Sequence, residues 1–378
     1  MGMRAPRVDC REALFIGQSG GNLHGAATRD IPGLITGFSR IRMLRIPHVR
    51  PVRIIVILLA LAGAAAAQNQ HPSRRSMPES IIWTDPGDVR SLNLFWGPGG
   101  ERHQPQPPVT FVEEDMHGTS PKFDVRDSSD KKWKAKLGVE AKPETVASRL
   151  LWAVGYGANE NYFFPRLQVT NMPQLKRGQN LAGNNGMVPN VRLQRHSGQR
   201  IGNWNWRHNP FYGTREFNGL RVMMGLIANW DLKDDNNGIF EYEKQGGPKL
   251  YVVSDVGTAF GTPGKEYSDT RSKGNVDAFA RTKLIAHIHQ NYIDLNFPKR
   301  PPLSSLFEFE WDFFFRQTKM LWIGRHIPRE DAKWIGALLA QLSPDQIRDA
   351  FRAAGYSPPE IELGTRGVLS RIQELNGL

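Results

Sequence analysis

The sequence predicts an α+β protein of two lobes, a strand-rich lobe holding one helix followed by a helix-rich lobe. Three observations carry that expectation. Short runs with partial two-residue alternation crowd residues 109 to 200, one segment with a helical period interrupts them, and after Thr214 the helical period dominates. With 378 residues and 39% hydrophobic content, the chain can bury a sizeable core as one large or two smaller domains.

The strand series opens with "VTFVEED", "KFDVRD" and "KKWKAKL", separated by "MHGTSP" and "SSD", which are turn chemistry; the order reads as a β-meander. "KPETVASRLLWAVGYG" follows. It places Pro143 and Glu144 in a first turn and Val146, Ala147, Leu150, Leu151 and Val154 at helical spacing, and it stops at Gly155 or Gly157. "YFFPRLQV" and "VRLQRH" supply further strands. In "TREFNGLRVMMGLIANW", Leu220, Met223, Met224 and Ile227 share a helix face, and "VDAFARTKLIAHIHQNYIDL", "REDAKWIGALLAQL", "SPDQIRDAFRAAGY" and "VLSRIQELNGL" read as later helices. Ser343 before Pro344 is an N-cap followed by proline at the first helical position. The expected lobes are residues 109–200 and 201–378, with 68–108, rich in Pro, Gly and Arg, as a linker or irregular extension.

The first 67 residues stand apart. From Met43, an Arg-rich stretch, an apolar run from Ile54 to about Ala62, and Ala65-Ala66-Ala67 before Gln68 have the layout of a secretory signal peptide. The run is shorter than the roughly 20 residues that span a bilayer. Residues 43–67 are therefore expected to be cleaved, with contact to a membrane only if the segment is retained; either way the rest of the chain is exported, to a periplasmic or extracellular location. Residues 1–42 read as a misassigned start or a leader. Their "GQSGG" fits the pattern of a hydrolase nucleophile elbow but lacks the strand and helix that such an elbow needs.

Setting aside the nine arginines and three acids of residues 1–67 leaves 40 basic against 34 acidic residues, so the net charge falls from +12 to +6. With no basic helix and no alternation of basic and aromatic residues, the remainder gives no footprint for nucleic acid. The single cysteine, Cys10, lies in the excluded part, so neither a disulfide nor a thiolate metal site is expected.

Chemistry concentrates in "NWDLKDDNN", residues 229 to 237, directly after the apolar helix, and in "KLYVVSDVGTAFG", where an apolar strand ends in Ser254-Asp255-Val256-Gly257. Together they resemble the protein-kinase-like superfamily: "DLKDDN" looks like the catalytic loop D-L-K-x-x-N, and "DVG" looks like the metal-binding D-F-G. The resemblance implies a bilobal kinase-like fold over roughly residues 109–375. It implies an oxygen site for Mg or Mn at Asn236 and Asp255, with Asp231 orienting an acceptor hydroxyl and Lys233 neutralising charge on the transferred group. "WKAKLG" puts Lys134 and Lys136 on one strand face. Lys136 aligns best with the lysine that meets the α- and β-phosphates, and Glu144 is its expected partner on the helix. "HGTSPKF" occupies the place of the phosphate-covering loop, with Gly118, backbone N–H groups and Lys122 toward phosphate.

Trp230 stands where typical protein kinases have arginine, and no A-P-E follows "DVG". These departures point toward the atypical branch with phosphatidylinositol kinases, bacterial toxin kinases, and spore-coat and secretory-pathway kinases. The implied activity is ATP-dependent transfer of a γ-phosphate to a hydroxyl of a protein, lipid or polysaccharide. A catalytically inactive kinase-like binding protein and a cell-surface polysaccharide-binding protein using the tryptophans remain as alternatives. So does a surface turn or calcium-binding loop at Asp231, although its twelfth position is Tyr242 rather than glutamate; Asp234, Asp235 and Asn237 read as the solvated part of the loop. His287 and His289, two apart in an expected helix, read as structural.

Overall fold

The computed structural model describes residues 80–378 apart from 119, 184, 197, 242–246, 262–272 and 298–319. All described residues belong to one compact unit, Ser73–Leu378. The leader, the signal segment, Tyr242 and the aromatic run "FEFEWDFFF" lie outside the described residues.

Strand β1 is Ser80–Ile81; β2 (Val109–Asp115), β3 (Lys122–Arg126), β4 (Lys132–Leu137), β5 (Glu160–Thr170) and β6 (Met187–Arg195) form a closed barrel in the order β2-β3-β4-β6-β5. The first three strands meander as expected. Closure comes from the parallel pairing of β5 with β2, Val109 opposite Val169 and Thr110 opposite Thr170. Along β4 the two-residue period sorts the strand: Trp133, Ala135 and Leu137 are buried in the barrel core with Phe123, Val125, Val191 and Leu193, so Lys132, Lys134 and Lys136 project from the opposite face. In register, Lys136 lies between Lys122 of β3 and Arg192 of β6.

Helix α1, Ala141–Ala153, sits between β4 and β5 and buries nearly its whole circumference. Val146, Ala147, Leu150 and Leu151 join the larger core of the second lobe rather than the barrel core. Residues 80–108, expected as a linker or irregular extension, are irregular in backbone yet packed. Val89 and Leu94 are fully buried in the larger core, Trp83 Nε1 donates to the Val154 carbonyl at 2.7 Å, and Gln346 Nε2 donates to the carbonyls of Val89 and Leu92 at 2.9 and 2.8 Å. Proline and glycine abolish periodicity in this segment without preventing single apolar side chains from packing.

The second lobe carries β7 (Gln199–Gly202), α2 (Arg215–Leu226), β8 (Asn237–Glu241) and β9 (Lys249–Val253), with a sheet in the order β1-β9-β8-β7. Thr214 Oγ1 caps α2 by accepting from Phe217 N at 3.2 Å. The long helix expected from "VDAFARTKLIAHIHQNYIDL" is a correction: only α3, Val276–Ala280, is helical, and β10 (Ile285–Ile288) and β11 (Tyr292–Leu295) form a hairpin extended by β12 (Ile327–Pro328). Its β-branched and aromatic residues favour a strand, and burial of Ile293 and Leu295 on the lobe decides the outcome. His287 and His289 are exposed on this hairpin, and His289 stacks on Tyr292 with centroids 4.2 Å apart. Helices α4 (Arg329–Leu339), α5 (Pro344–Ala353) and α6 (Pro358–Asn376) close the lobe. Capping boxes start α5 at Ser343 and α6 at Ser357, so the last helix begins ten residues before "VLSRIQELNGL".

The hairpin joining β3 to β4 hangs on Asp127, which is buried. Its carboxylate accepts from the backbone N–H of Gln106, Ser129 and Lys131 and from Trp133 Nε1, at 2.9 to 3.2 Å. Burial pushes this carboxyl up, but the four donors outweigh it and hold it below its ordinary value of 3.8. A carboxylate with a depressed folded-state pKa stabilises the fold above its unfolded value, and that stabilisation is lost as pH falls through the folded value. Asp127→Asn is expected to lower the unfolding free energy by about 1 kcal/mol at neutral pH. It is also expected to flatten the fall in denaturation midpoint between about pH 5 and pH 2, read from urea curves across that range.

Candidate active site

A cleft of about 1090 Å³ is lined by Gly118, Lys122, Lys134, Lys136, Glu144, Asp231, Lys233, Asn236 and Asp255. Every residue singled out in the sequence for catalysis, nucleotide or metal therefore faces one space, a little larger than the roughly 300–1,000 Å³ of most ligand sites. The outward face of β4 supplies Lys134 and Lys136, the turn into β3 supplies Gly118 and Lys122, α1 supplies Glu144, and the second lobe supplies Asp231, Lys233, Asn236 and Asp255.

Lys136 is the centre of the arrangement. Its buried ammonium lies 3.1 Å from Glu144 Oε2 and 3.1 Å from Asp255 Oδ1. It is also 2.6 Å from Glu140 Oε2, a partner absent from the sequence reading. Glu144 in turn holds Arg192 Nη1 at 2.5 Å, and Glu140 holds Lys273 Nζ at 2.9 Å. Three cations and three carboxylates balance. Burial alone would push the Lys136 ammonium down, but Glu144, Asp255 and Glu140 outweigh it and hold it above the ordinary lysine value. Glu144 is pushed up by complete burial despite Arg192 and Lys136. Asp255 and Glu140 are driven the other way, because in each the lysine's field overcomes burial. Asp255 remains open to the cleft, its side chain 46% exposed. Lys134 takes different partners, Asp115 at 2.7 Å and Asp124 at 2.8 Å.

The loop after α2 is bound to the strand that ends at Asp255. A 3₁₀ turn covers Asp234–Asn236. Asn236 Nδ2 donates to the Asp231 carbonyl at 2.7 Å, and the Asn236 carbonyl accepts from Ser254 N at 2.8 Å and Asp255 N at 3.2 Å. The Asp231 carboxylate, partly open to the cleft, pairs with Lys233 Nζ at 3.1 Å. Asp231 N donates to Thr258 Oγ1 at 3.3 Å, and that hydroxyl donates to Asn229 Oδ1. Asp234 and Asn237, which read as solvated loop, are structural: Asp234 accepts from Trp206 N at 3.0 Å, and Asn237 is fully buried with Nδ2 on the Trp204 carbonyl. Trp204 and Trp206 are buried against each other, so neither offers a sugar platform.

The turn between β2 and β3 covers the other side. Gly118 has φ +68°, where a side chain is strained. Arg177 ties the turn down by donating to the carbonyls of Gly118 at 2.5 Å and Asp115 at 2.7 Å. Lys122 Nζ lies 3.7 Å from Asp115. Just past β6, the His196 ring lines the same cleft and stacks on Phe240 with centroids 3.5 Å apart. Burial pushes this imidazole down to about 4, so it is neutral at pH 7.

The available donors suit a hard cation. Asp255 and Asp231 present carboxylate oxygens, and with Nδ2 of Asn236 committed, its Oδ1 is the end that can meet a metal. Among the described residues no three acidic or histidine side chains gather to hold a metal by themselves, and a magnesium ion completed by phosphate oxygens needs only one or two carboxylates.

Sequence reasoning missed Glu140, Arg192, Lys273, Arg177 and His196. Only Glu140 left a signal, standing four residues after Lys136 and four before Glu144.

Among solved structures the chain is similar to the Helicobacter pylori proinflammatory kinase CtkA, at 11% identity and a TM-score of 0.41, over 71% of this chain and 95% of that one. It is also similar to a Golgi casein kinase. With Mn/ADP bound, that structure gives 13% identity and a TM-score of 0.28 over 71% and 75% of the two chains; the other structure gives 12%, 0.27, 70% and 74%. The likeness concerns the fold, and no residue role is carried across it. No family model and no curated protein matches the chain.

Removing the lysine leaves three carboxylates facing one another, whereas removing one carboxylate leaves two on the lysine. Lys136→Met is therefore expected to cost about 3 kcal/mol or more of folding stability. Asp255→Asn should stay within about 1 kcal/mol of the parent, both read from urea denaturation midpoints.

Proposed function

We propose that the protein is an atypical kinase-like phosphotransferase that moves the γ-phosphate of ATP, presented with Mg or Mn, to a hydroxyl of a protein, lipid or polysaccharide acceptor. The observation that carries this reading is Lys136 shared between Glu144 and Asp255, in a cleft that also holds Asp231 and Asn236. Phosphoryl transfer asks a protein for positioning and for neutralisation of charge, and this site is arranged for both.

Asp255 and Asn236 would hold the divalent ion, which would offset the charge of the phosphates. Lys136 would hold the α- and β-phosphates, kept in place by Glu144. The turn around Gly118 and Lys122 would cover the phosphates from above, beside Lys134, which Asp115 and Asp124 hold on the same face of β4. His196, stacked on Phe240, lines the same cleft.

At the acceptor side, Asp231 would accept a hydrogen bond from the attacking hydroxyl and orient its oxygen along the line of displacement. Lys233, 3.1 Å from Asp231, is placed to neutralise charge as the phosphoryl group crosses. As the new P–O bond forms and the bond to the departing ADP breaks, the proton of the acceptor hydroxyl would pass to the Asp231 carboxylate. Export completes the proposal and rests on the signal-like segment 43–67; among the described residues, no helix is long and apolar enough to cross a membrane.

The test incubates residues 68–378 with Mg- or Mn-ATP and a panel of hydroxyl-bearing acceptors. Wild type is expected to consume ATP. Asp231→Ala should lower kcat by about 100-fold or more with nucleotide binding retained, and Asp255→Ala should remove metal-dependent binding. A wild-type protein that binds metal-nucleotide without turnover is a binding protein on the same cleft. One that neither binds nor consumes nucleotide overturns the reading.

A further inference from the structure

We propose that Glu140 is a positioning residue of the nucleotide site, which fastens the phosphate-covering turn and the segment after Asp255 to the lysine that meets the phosphates. The proposal rests on the kinase-like reading of the cleft and assigns a residue that the motifs of that reading do not include.

An ammonium group has three N–H donors, and Lys136 has three carboxylates within 3.1 Å. All three donors are thus taken. For Lys136 to meet a phosphate one carboxylate has to leave, and the geometry says which. Asp255 is half-exposed to the cleft, and apart from Lys136 the one donor to its carboxylate among the described residues is local, Gly257 N at 3.2 Å. Glu144 is buried and pinned by Arg192. Glu140 is buried and pinned from two further directions. Ser120 Oγ donates to its Oε2 at 2.9 Å, and Lys273 Nζ lies 2.9 Å from its Oε1. When Asp255 turns to a metal, Lys136 stays clamped between Glu140 and Glu144 with one N–H directed into the cleft.

Three separate elements therefore meet at one carboxylate. Ser120 belongs to the turn between β2 and β3, Lys136 to β4, and Lys273 to the segment that follows Asp255 and leads into α3. The backbone at Gly257 presses on the same group, since a Cβ there would come within 2.9 Å of Glu140 Cβ and Oε2. Glu140 precedes the first turn of α1, so it is fixed by the same helix that carries Glu144. A shift of the turn, the helix start or the Lys273 segment is transmitted to Lys136 through a single side chain.

The role differs from that of Asp231. Glu140 acts on where the phosphates bind and not on the attacking oxygen, so its loss is expected to appear in KM rather than kcat. Glu140→Gln keeps the shape and removes the charge. Glu140→Gln, Ser120→Ala, Lys273→Gln and the double variant Glu140→Gln/Lys273→Gln would be assayed for ATP turnover with Mg, each first checked for cooperative unfolding. Hydrogen exchange over residues 117–122 and 273–276 would be measured in parallel.

Glu140→Gln is expected to raise KM for ATP about tenfold with kcat within about twofold, and to speed exchange in both segments. Ser120→Ala should raise KM severalfold on its own, and the double variant should be no worse than Glu140→Gln, because both substitutions cut the same link. An unchanged KM, a fall in kcat alone, or additive effects of Glu140→Gln and Lys273→Gln would overturn the proposal while leaving the kinase reading in place. Should Glu140→Gln not fold, Ser120→Ala and Lys273→Gln decide: no change in KM in either overturns it. A wild-type protein without turnover or nucleotide binding fails at the earlier step, under the proposed function.

Discussion

The buried ammonium of Lys136 sets where the barrel, α1 and the end of β9 must meet. A charge taken out of water is costly unless it is paired and hydrogen-bonded, and three carboxylates within 3.1 Å meet that requirement. Each carboxylate comes from a different part of the fold or is tied to one. Glu140 and Glu144 bring the start of α1, Asp255 brings the end of β9, and the lysine brings the barrel. The lobes are joined here by charge, and the cleft is shaped around the junction.

Strand alternation explains how a barrel can present such a group. Trp133, Ala135 and Leu137 fill the barrel core, which obliges their neighbours on β4 to face outward. Arg192 and Lys122 stand beside Lys136 across the ladder, and the resulting excess of positive charge is met by α1. The helix does not belong to the barrel core. Its apolar residues pack into the second lobe, so Glu144 is held at a position set by the larger core, and residues 80–108 reinforce it through Trp83 and through Arg149, which donates to the Phe95 carbonyl at 3.1 Å.

Much of this was legible in the sequence because local rules and tertiary demands agreed. The five barrel strands, α1, α2 and the order of Lys136, Glu144, Asp231, Asn236 and Asp255 follow from alternation, helical spacing and short motifs. What was not legible depended on contacts distant in sequence. The parallel closure of β5 on β2 leaves no trace in either strand. Lys273 reaches Glu140 across 133 positions, and Arg177 reaches the turn at Gly118 across 59. The residues from 285 to 295 illustrate the opposite failure: a helical spacing was present, but the hairpin buries Ile293 and Leu295 and wins. In "NWDLKDDNN", Asp234 and Asn237 looked like solvated loop because composition cannot distinguish an acid facing water from one capping a distant backbone N–H.

On this reading Asp255 exchanges Lys136 for a metal while Glu140 and Glu144 keep the lysine in place. A crystal structure of the protein with Mn and ADP, with manganese located by its anomalous signal, tests it directly. Manganese is expected on oxygens of Asp255 and Asn236, with Lys136 Nζ moved onto a phosphate oxygen and still bonded to both glutamates. Manganese and nucleotide seated elsewhere, or Lys136 still bound to Asp255 with nucleotide present, would contradict it.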